Sequence, residues 1–153
     1  MTAFLLDVNV LIALMWPAHE SHPEAQRWFA RNARRGWATC PFTQAGFARI
    51  VSNPAFSSDA VTPQEAIGLL RANLTHRFHR FWRDDLTLAE AVEPFGERLV
   101  GHQQLSDAYL LGLAMHRGGK LATLDRAVLT LLPHDSLERD RIEVIQSAAA
   151  SPA

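Results

Sequence analysis

Short apolar runs alternate along the chain with longer segments whose apolar residues recur at helical spacing. Residues 3–6 predict a strand buried on both faces, because the run contains no polar side chain. The close-packed apolar residues of Val8–Met15 then predict a short buried helix that ends before Pro17. The chain therefore begins with a strand that leads directly into a helix.

The alternation continues to residue 145. Further strands are predicted over residues 37–40, 77–82, 120–123 and 142–145. Helices are predicted from 21 to near 36, from Thr43 to 51, from a capping box at 62–65, from 88 to 100 with an interruption near Pro94 and Gly96, from 107 to about 117 with Ser106 as its cap, and from 126 to 132. Strands that alternate with helices predict an α/β fold, a three-layer α/β/α sandwich around a mostly parallel sheet.

Length and composition limit the organisation. A chain of 153 residues with 48% hydrophobic and 20% charged residues is typical of one folded domain. We expect residues 1–146 to form that single domain and residues 147–153 to be a disordered tail. The formal net charge of -1 gives no general attraction to nucleic acid, so any such binding needs a local basic patch.

The amino terminus and the single cysteine indicate a location. No basic region precedes the first apolar run, and Asp7 and Asn9 interrupt that run, so neither a signal peptide nor a transmembrane helix is expected. Cys40 has no second cysteine with which to form an internal disulfide. We therefore expect a cytoplasmic protein without membrane association.

Three aspartates lie where a parallel sheet would form a site. Asp7 and Asp125 each follow a predicted strand, at the end where such sheets bind ligands, and Asp107 lies in the first turn of its predicted helix. A buried carboxylate without a partner costs several kcal/mol or takes up a proton, so Asp7 in its apolar surroundings needs a partner. Each aspartate, Asp107 above all, alternatively serves only as a helix cap.

The chemistry of these side chains favours a hard cation. Three carboxylates at one edge would repel one another unless a cation neutralised them. Carboxylate oxygens without cysteine or clustered histidine ligands favour Mg²⁺ or Mn²⁺ over zinc.

Three stretches of the chain together carry a family resemblance, which extends over residues 3–145. LLDVNVLIAL, CPFTQAGFARIVSNP and QLSDAYLLGLAMHRGGKLATLDRAV resemble the PIN-domain family, in particular the VapC-type toxins of bacterial type II toxin-antitoxin systems. The resemblance implies a PIN-like domain and a Mg²⁺- or Mn²⁺-dependent endoribonuclease that hydrolyses RNA through a metal-activated water. It transfers the metal-binding positions to Asp7, Asp107 and Asp125.

The resemblance also implies roles for neighbouring side chains. Asn9 and Ser106 would orient the carboxylates, and Thr123 would donate its hydroxyl to a carboxylate or to a water on the cation. The family usually has a glutamate where this chain has Gln44, within Thr-Gln-Ala-Gly-Phe. Gln44 is therefore expected as a fourth, uncharged member of the catalytic set that leaves the cation more weakly bound, or else as an ordinary polar residue of its helix.

Partners follow from the same resemblance. The substrate would be RNA, and the protein would form a homodimer. A cognate VapB-like antitoxin would place its carboxy-terminal segment in the groove and present a basic side chain to the acidic cluster.

Two other functions compete with this one. Gln44 is compatible with a catalytically weakened PIN-like module that binds RNA or an antitoxin without efficient cleavage. A phosphoacceptor receiver domain has a similar sheet, but it requires a lysine near the end of its last strand, whereas the only lysine, Lys120, begins a strand.

Two basic stretches have open interpretations. Residues 76–83 interleave histidines and arginines with aromatic residues, as in a strand with core aromatics and solvated arginines or in a surface that stacks RNA bases. Arg27, Arg31, Arg34 and Arg35 form either a solvated helix face or a set of phosphate contacts. The histidine pairs at 19 and 22 and at 76 and 79 lack supporting ligands, which disfavours zinc.

Overall fold

Five parallel strands form one sheet in the computed structural model, which describes residues 2–146. The strands are β1 (Phe4–Leu6), β2 (Trp37–Thr39), β3 (His79–Phe81), β4 (Lys120–Thr123) and β5 (Ile142–Val144), in the spatial order β3-β2-β1-β4-β5. Helices cover both faces, so the predicted α/β/α sandwich is confirmed. The predicted disordered tail, residues 147–153, lies outside the described residues, and the domain boundary at 146 stays a prediction.

Six α-helices connect the strands within residues 2–146. They are α1 (Val8–Met15), α2 (His22–Asn32), α3 (Pro41–Val51), α4 (Pro63–Asn73), α5 (Leu88–Val92) and α6 (Leu105–His116). Short 3-10 helices lie at Ala33–Arg35, Glu93–Arg98, His102–Gln104, Arg126–Leu131 and Leu137–Arg141. Across residues 2–146, every helix is too short or too polar to cross a membrane.

The central strand β1 divides the core into two halves, because successive side chains of a strand point to opposite faces. Leu5 lies in the half that contains the buried leucines of α6. Phe4 and Leu6 lie in the other half, with the buried residues of α1, α2, α3 and α4. All three side chains are at most 1% exposed. The carboxyl end of β1 thus opens between these two layers.

Two predicted helix caps are wrong. Helix α3 begins at Pro41, and Thr43 lies within its first turn, where its hydroxyl accepts a 3.0 Å hydrogen bond from the Cys40 backbone N–H. Helix α6 begins at Leu105 because the 3-10 turn of His102–Gln104 runs directly into it, so Ser106 also lies inside the helix.

The predicted interruption near Pro94 and Gly96 is confirmed, but the α-helix predicted over residues 88–100 ends before it. Helix α5 ends at Val92, and the chain continues as a 3-10 helix to Arg98. Pro94 provides no backbone N–H to extend the helix, and Gly96 has a φ of 50°, which interrupts it. The segment after Asp125, predicted as a short helix to residue 132, is a 3-10 helix that ends at Leu131.

Candidate active site

Asp7 lies at the carboxyl end of β1 and caps α1. Its Oδ1 accepts a 2.7 Å hydrogen bond from the Val8 backbone N–H, and its Oδ2 accepts a 2.8 Å hydrogen bond from the Thr123 hydroxyl. The residue is only 7% exposed. Burial raises the pKa of Asp7 above its ordinary value, an effect that the two hydrogen bonds oppose and the nearby charge of Asp125 increases.

Asp125 lies just beyond the end of β4, the neighbour of β1 in the sheet. Its backbone N–H donates to the Thr123 hydroxyl at 3.1 Å, and its Oδ1 accepts from the Ala127 backbone N–H at 2.9 Å. The Thr123 hydroxyl therefore lies between the two residues: it donates to the Asp7 carboxylate and accepts from the Asp125 backbone N–H. This arrangement arises because β1 and β4 are adjacent and parallel.

Asp107 lies in the first turn of α6 and is half-buried. Burial, together with the negative charges of Asp7 and Asp125, raises the pKa of its carboxyl to about 7. The three predicted aspartates therefore lie close enough to repel one another electrostatically. We refer to Asp7, Asp107 and Asp125 as the acidic cluster.

The donor chemistry of the acidic cluster fits a divalent cation. Three mutually repelling carboxylates offer hard oxygen ligands, and the buried Oδ1 of Asn9, two residues after Asp7, has no hydrogen-bond partner among residues 2–146. Within residues 2–146, however, no three His, Cys, Asp or Glu side chains are already arranged as a group that could hold a metal ion. The fit is therefore one of charge and ligand type, and the carboxylates would have to approach one another around the ion.

A groove runs beside Asp7 between α3 and α6. Its cavity of about 340 Å³ is lined among others by Asp7, Val8, Phe42, Gly46, Arg49 and Ser106. Helix α3 comes close to α1 because of Gly46, where a Cβ would lie 2.8 Å from a methyl carbon of Val8. Ser106, predicted from sequence to orient the carboxylates, is thus placed in the groove together with Asp7.

Sequence reasoning missed the side chains that give the groove its shape and positive charge. Phe42 is 41% exposed, and its ring centroid lies 6.1 Å from that of Tyr109. Arg49 lines the same cavity as Asp7 and is exposed. Phe42 and Arg49 are seven residues apart on α3, which places them on one face of the helix, and this spacing was the available signal.

Gln44 has a different neighbourhood from the acidic cluster. Its side-chain amide donates a 2.9 Å hydrogen bond to the Thr39 hydroxyl, which is also 2.8 Å from Nε2 of His79. Thr39 is fully buried at the end of β2, and burial lowers the pKa of His79. In the described part of the chain, no hydrogen bond joins Gln44 to any of the three aspartates. Its place in the catalytic set stays a prediction.

Comparisons with known proteins identify the family of the chain. The model of the PIN domain family matches residues 4–131. Ribonuclease VapC39 of Mycobacterium tuberculosis is 42% identical over 145 residues, which cover 95% of this chain and 100% of that protein. Ribonuclease VapC38 of the same species is 44% identical over 127 residues, which cover 83% of this chain and 88% of that protein.

A solved structure has the same fold. A chain in the crystal structure of VapBC2 from Rickettsia felis, bound to a DNA fragment from their promoter, superposes with a TM-score of 0.59. The match covers 94% of this chain and 97% of that chain at 11% sequence identity, so it shows the fold alone.

Proposed function

Because the chain belongs to the PIN-domain family and to its VapC-type branch, we propose that it is a Mg²⁺- or Mn²⁺-dependent endoribonuclease and the toxin of a VapBC-type pair. The acidic cluster is the observation that carries this proposal, because a bound cation would offset the burial of Asp7 and Asp107 and the repulsion that Asp125 adds. The relatives named Ribonuclease VapC39 and Ribonuclease VapC38 support RNA as the substrate.

The residues at the carboxyl edge of the sheet would have different roles in the reaction. Asp7, Asp107 and Asp125 would hold the cation, which when bound supplies charge stabilisation to the phosphodiester and to the departing 3′ oxygen. Thr123 fixes the orientation of Asp7 through its 2.8 Å hydrogen bond. Asn9 offers an additional unpaired oxygen. Ser106 places a hydroxyl in the groove beside Asp7.

The groove has the side chains that RNA requires. Arg49 provides a positive charge that would contact a phosphate near the acidic cluster. Phe42 and Tyr109 provide aromatic surface on which an unpaired base would stack. RNA would therefore lie along the groove with its phosphate facing Asp7.

The product ends of the reaction test this chemistry. The purified protein should cleave structured RNA with Mg²⁺ or Mn²⁺ and should not cleave it in EDTA. Attack by water with departure of the 3′ oxygen leaves a 3′-hydroxyl and a 5′-phosphate. Products that carry a 2′,3′-cyclic phosphate would instead indicate attack by the RNA's own 2′-hydroxyl and would contradict the proposal.

A second candidate function is a weakened module that binds RNA or an antitoxin without efficient cleavage. The hydrogen bond from the uncharged Gln44 to Thr39 favours it, since Gln44 adds no negative charge for a cation. RNA binding without cleavage at any Mg²⁺ or Mn²⁺ concentration would support this candidate over the first.

The proposed partners are a VapB-like antitoxin and a second copy of this chain. A basic side chain from an antitoxin would be attracted to the acidic cluster in the groove. We expect a neighbouring reading frame to encode a small protein with a basic tail. Addition of this protein should inhibit cleavage. Light scattering of the purified chain would test the homodimer, and cell fractionation would test the proposed cytoplasmic location.

A further inference from the structure

Two basic stretches that are distant in sequence meet at the amino-terminal edge of the sheet, opposite the acidic cluster. Strands β2 and β3 are parallel neighbours with Trp37 paired to His79. The Trp37 backbone N–H donates to the Phe78 carbonyl at 3.1 Å. A Cβ at Gly36 would lie 3.0 Å from Cζ of Arg80, so this guanidinium lies against the chain that enters β2.

Four arginines are concentrated at this edge, and we call them the edge arginines: Arg34, Arg35, Arg77 and Arg80. Arg34, Arg77 and Arg80 are exposed, and Arg35 is half-buried with its guanidinium 4.9 Å from the centroid of the Phe4 ring. No carboxylate among residues 2–146 lies within ion-pair distance of any of the four. The edge therefore presents local positive charge although the net charge of the chain is -1.

An aromatic cavity adjoins the edge arginines. It has a volume of about 340 Å³, and Leu14, Met15, Gln26, Phe29, Trp37 and His76 are among the residues that line it. The ring centroid of Phe29 lies 5.4 Å from the ring centroid of Trp37 and 5.4 Å from that of His76. This volume lies at the lower end of the range for small-molecule pockets, which is suitable for a single planar ring system.

Hydrogen bonds determine which polar groups the cavity offers. Nδ1 of His76 accepts from Trp37 Nε1 and from the Phe78 backbone N–H, both at 3.2 Å, so this nitrogen carries no proton and Nε2 is the donor. Asn73 donates its Nδ2 to the Leu69 carbonyl at 2.8 Å, which leaves its Oδ1 as an acceptor. The described lining residues include no charged side chain. The cavity thus combines flat apolar walls with neutral donors and acceptors, as recognition of a nucleobase requires.

We propose that this edge binds a single-stranded segment of RNA, with one base in the aromatic cavity and the adjacent phosphates on the edge arginines. The proposal rests on the proposed function, because it adds a second contact to the same RNA substrate. Each strand of the sheet has only three or four residues, and a strand rises about 3.3 Å per residue, so roughly 10 Å of sheet separates this edge from the acidic cluster. One RNA that contacts both sites would run over the protein surface between them.

Binding measured without cleavage tests the proposal. The probe is a fluorescent single-stranded RNA of mixed sequence, titrated against full-length Asp7→Asn protein at several salt concentrations, with intact RNA verified afterwards. The double variant Arg34→Gln/Arg77→Gln should bind more weakly, with a salt slope smaller by about 1.4, because two phosphate contacts are lost. The matched control Arg71→Gln/Arg98→Gln changes two exposed arginines that are not edge arginines, and it should retain the original salt slope.

A third variant tests the base pocket separately. His76→Ala removes one aromatic wall and should weaken binding at least about fivefold while leaving the salt slope unchanged, because no phosphate contact is lost. Circular dichroism verifies that each variant is folded.

The possible outcomes separate this proposal from the proposed function. Altered binding by the edge variants supports the proposal even if the wild-type chain cleaves no RNA. Equal salt slopes in the two double variants overturn it even if cleavage occurs. Unchanged RNA binding together with an altered oligomeric state would assign the edge to a protein contact and would also overturn it.

Discussion

Thr123 donates its hydroxyl to Asp7 Oδ2 at 2.8 Å, from the end of β4 to the end of the central strand β1. The same hydroxyl accepts a hydrogen bond from the Asp125 backbone N–H at 3.1 Å. One fully buried side chain thus connects the carboxyl ends of β1 and β4, where two of the three aspartates lie. It positions the acidic cluster without itself being charged.

Replacing Thr123 by valine keeps the shape of the side chain and removes the hydroxyl. We expect RNA cleavage to slow by about 10- to 100-fold, because Asp7 loses the group that orients it. The free energy of unfolding should also fall by about 1–3 kcal/mol, because buried groups are left without a partner. Cleavage rates and urea denaturation measure the two effects.

The control for that variant is Thr130→Val. Thr130 is exposed and donates only to the Ala127 carbonyl at 2.7 Å. The Thr130→Val variant should therefore cleave RNA at the wild-type rate. Wild-type cleavage by Thr123→Val as well would mean that the hydroxyl does not position Asp7 for the reaction.

Asp107 should make the metal-free protein less stable as the pH rises. Its pKa is about 7 in the folded protein and about 3.9 when unfolded, so the folded state binds the proton more tightly. The resulting stability is fully present below pH 4 and is lost as the pH rises through 7. In EDTA, Asp107→Asn should therefore be more stable than wild type at pH 8, and this advantage should shrink towards pH 5.

Urea midpoints across this pH range test the prediction. Asp59→Asn changes an exposed aspartate outside the cluster, and its curve should run parallel to that of wild type. A curve for Asp107→Asn that is also parallel to wild type would show that Asp107 is not desolvated in the folded protein.

Much of this arrangement was predictable from local sequence. An apolar run that ends in Asp7 and leads into a helix predicts a carboxylate at a strand end, and the same logic places Asp125 after β4. The alternation of strands and helices predicts the parallel sheet, because a parallel connection requires a crossover.

Other features depend on contacts between distant segments and could not be predicted. Gln44 donates to Thr39, and this bond exists only once α3 has packed beside the end of β2. The seven-residue spacing of Phe42 and Arg49 indicates a shared helix face, but that this face lines the groove depends on the packing of α3 opposite α6. The start of α6 at Leu105 depends on a preceding 3-10 turn, whereas the local pattern favoured Ser106 as the cap.

Gln44→Glu tests whether this position faces the cation. If the side chain lies near the acidic cluster, the added charge should lower the Mg²⁺ concentration needed for half-maximal cleavage, because cation affinity rises with the number of carboxylates. The substitution is nearly isosteric, and Thr39 would then donate to the new carboxylate. An unchanged Mg²⁺ requirement would assign Gln44 a structural role through Thr39.

Gly112→Ala tests the packing of α6, which carries Asp107. A Cβ at Gly112 would collide with the carbonyl oxygen of Ala91 on α5. Because a backbone atom cannot move aside easily, we expect a loss of about 1–3 kcal/mol or more in the free energy of unfolding. Gly68 on α4 has open space around its Cβ position, so Gly68→Ala should instead stabilise the protein by up to about 1 kcal/mol. Similar unfolding midpoints for the two variants would contradict the close contact.

The most direct test of the central claim is the single-turnover rate of RNA cleavage by wild type, Asp7→Asn and Asp59→Asn, each measured in Mg²⁺ and in EDTA. We expect cleavage by wild type and Asp59→Asn in Mg²⁺ only, and a rate at least about 100-fold lower for Asp7→Asn. Cleavage by Asp7→Asn at the wild-type rate, or cleavage that continues in EDTA, would contradict a metal-dependent reaction at the acidic cluster.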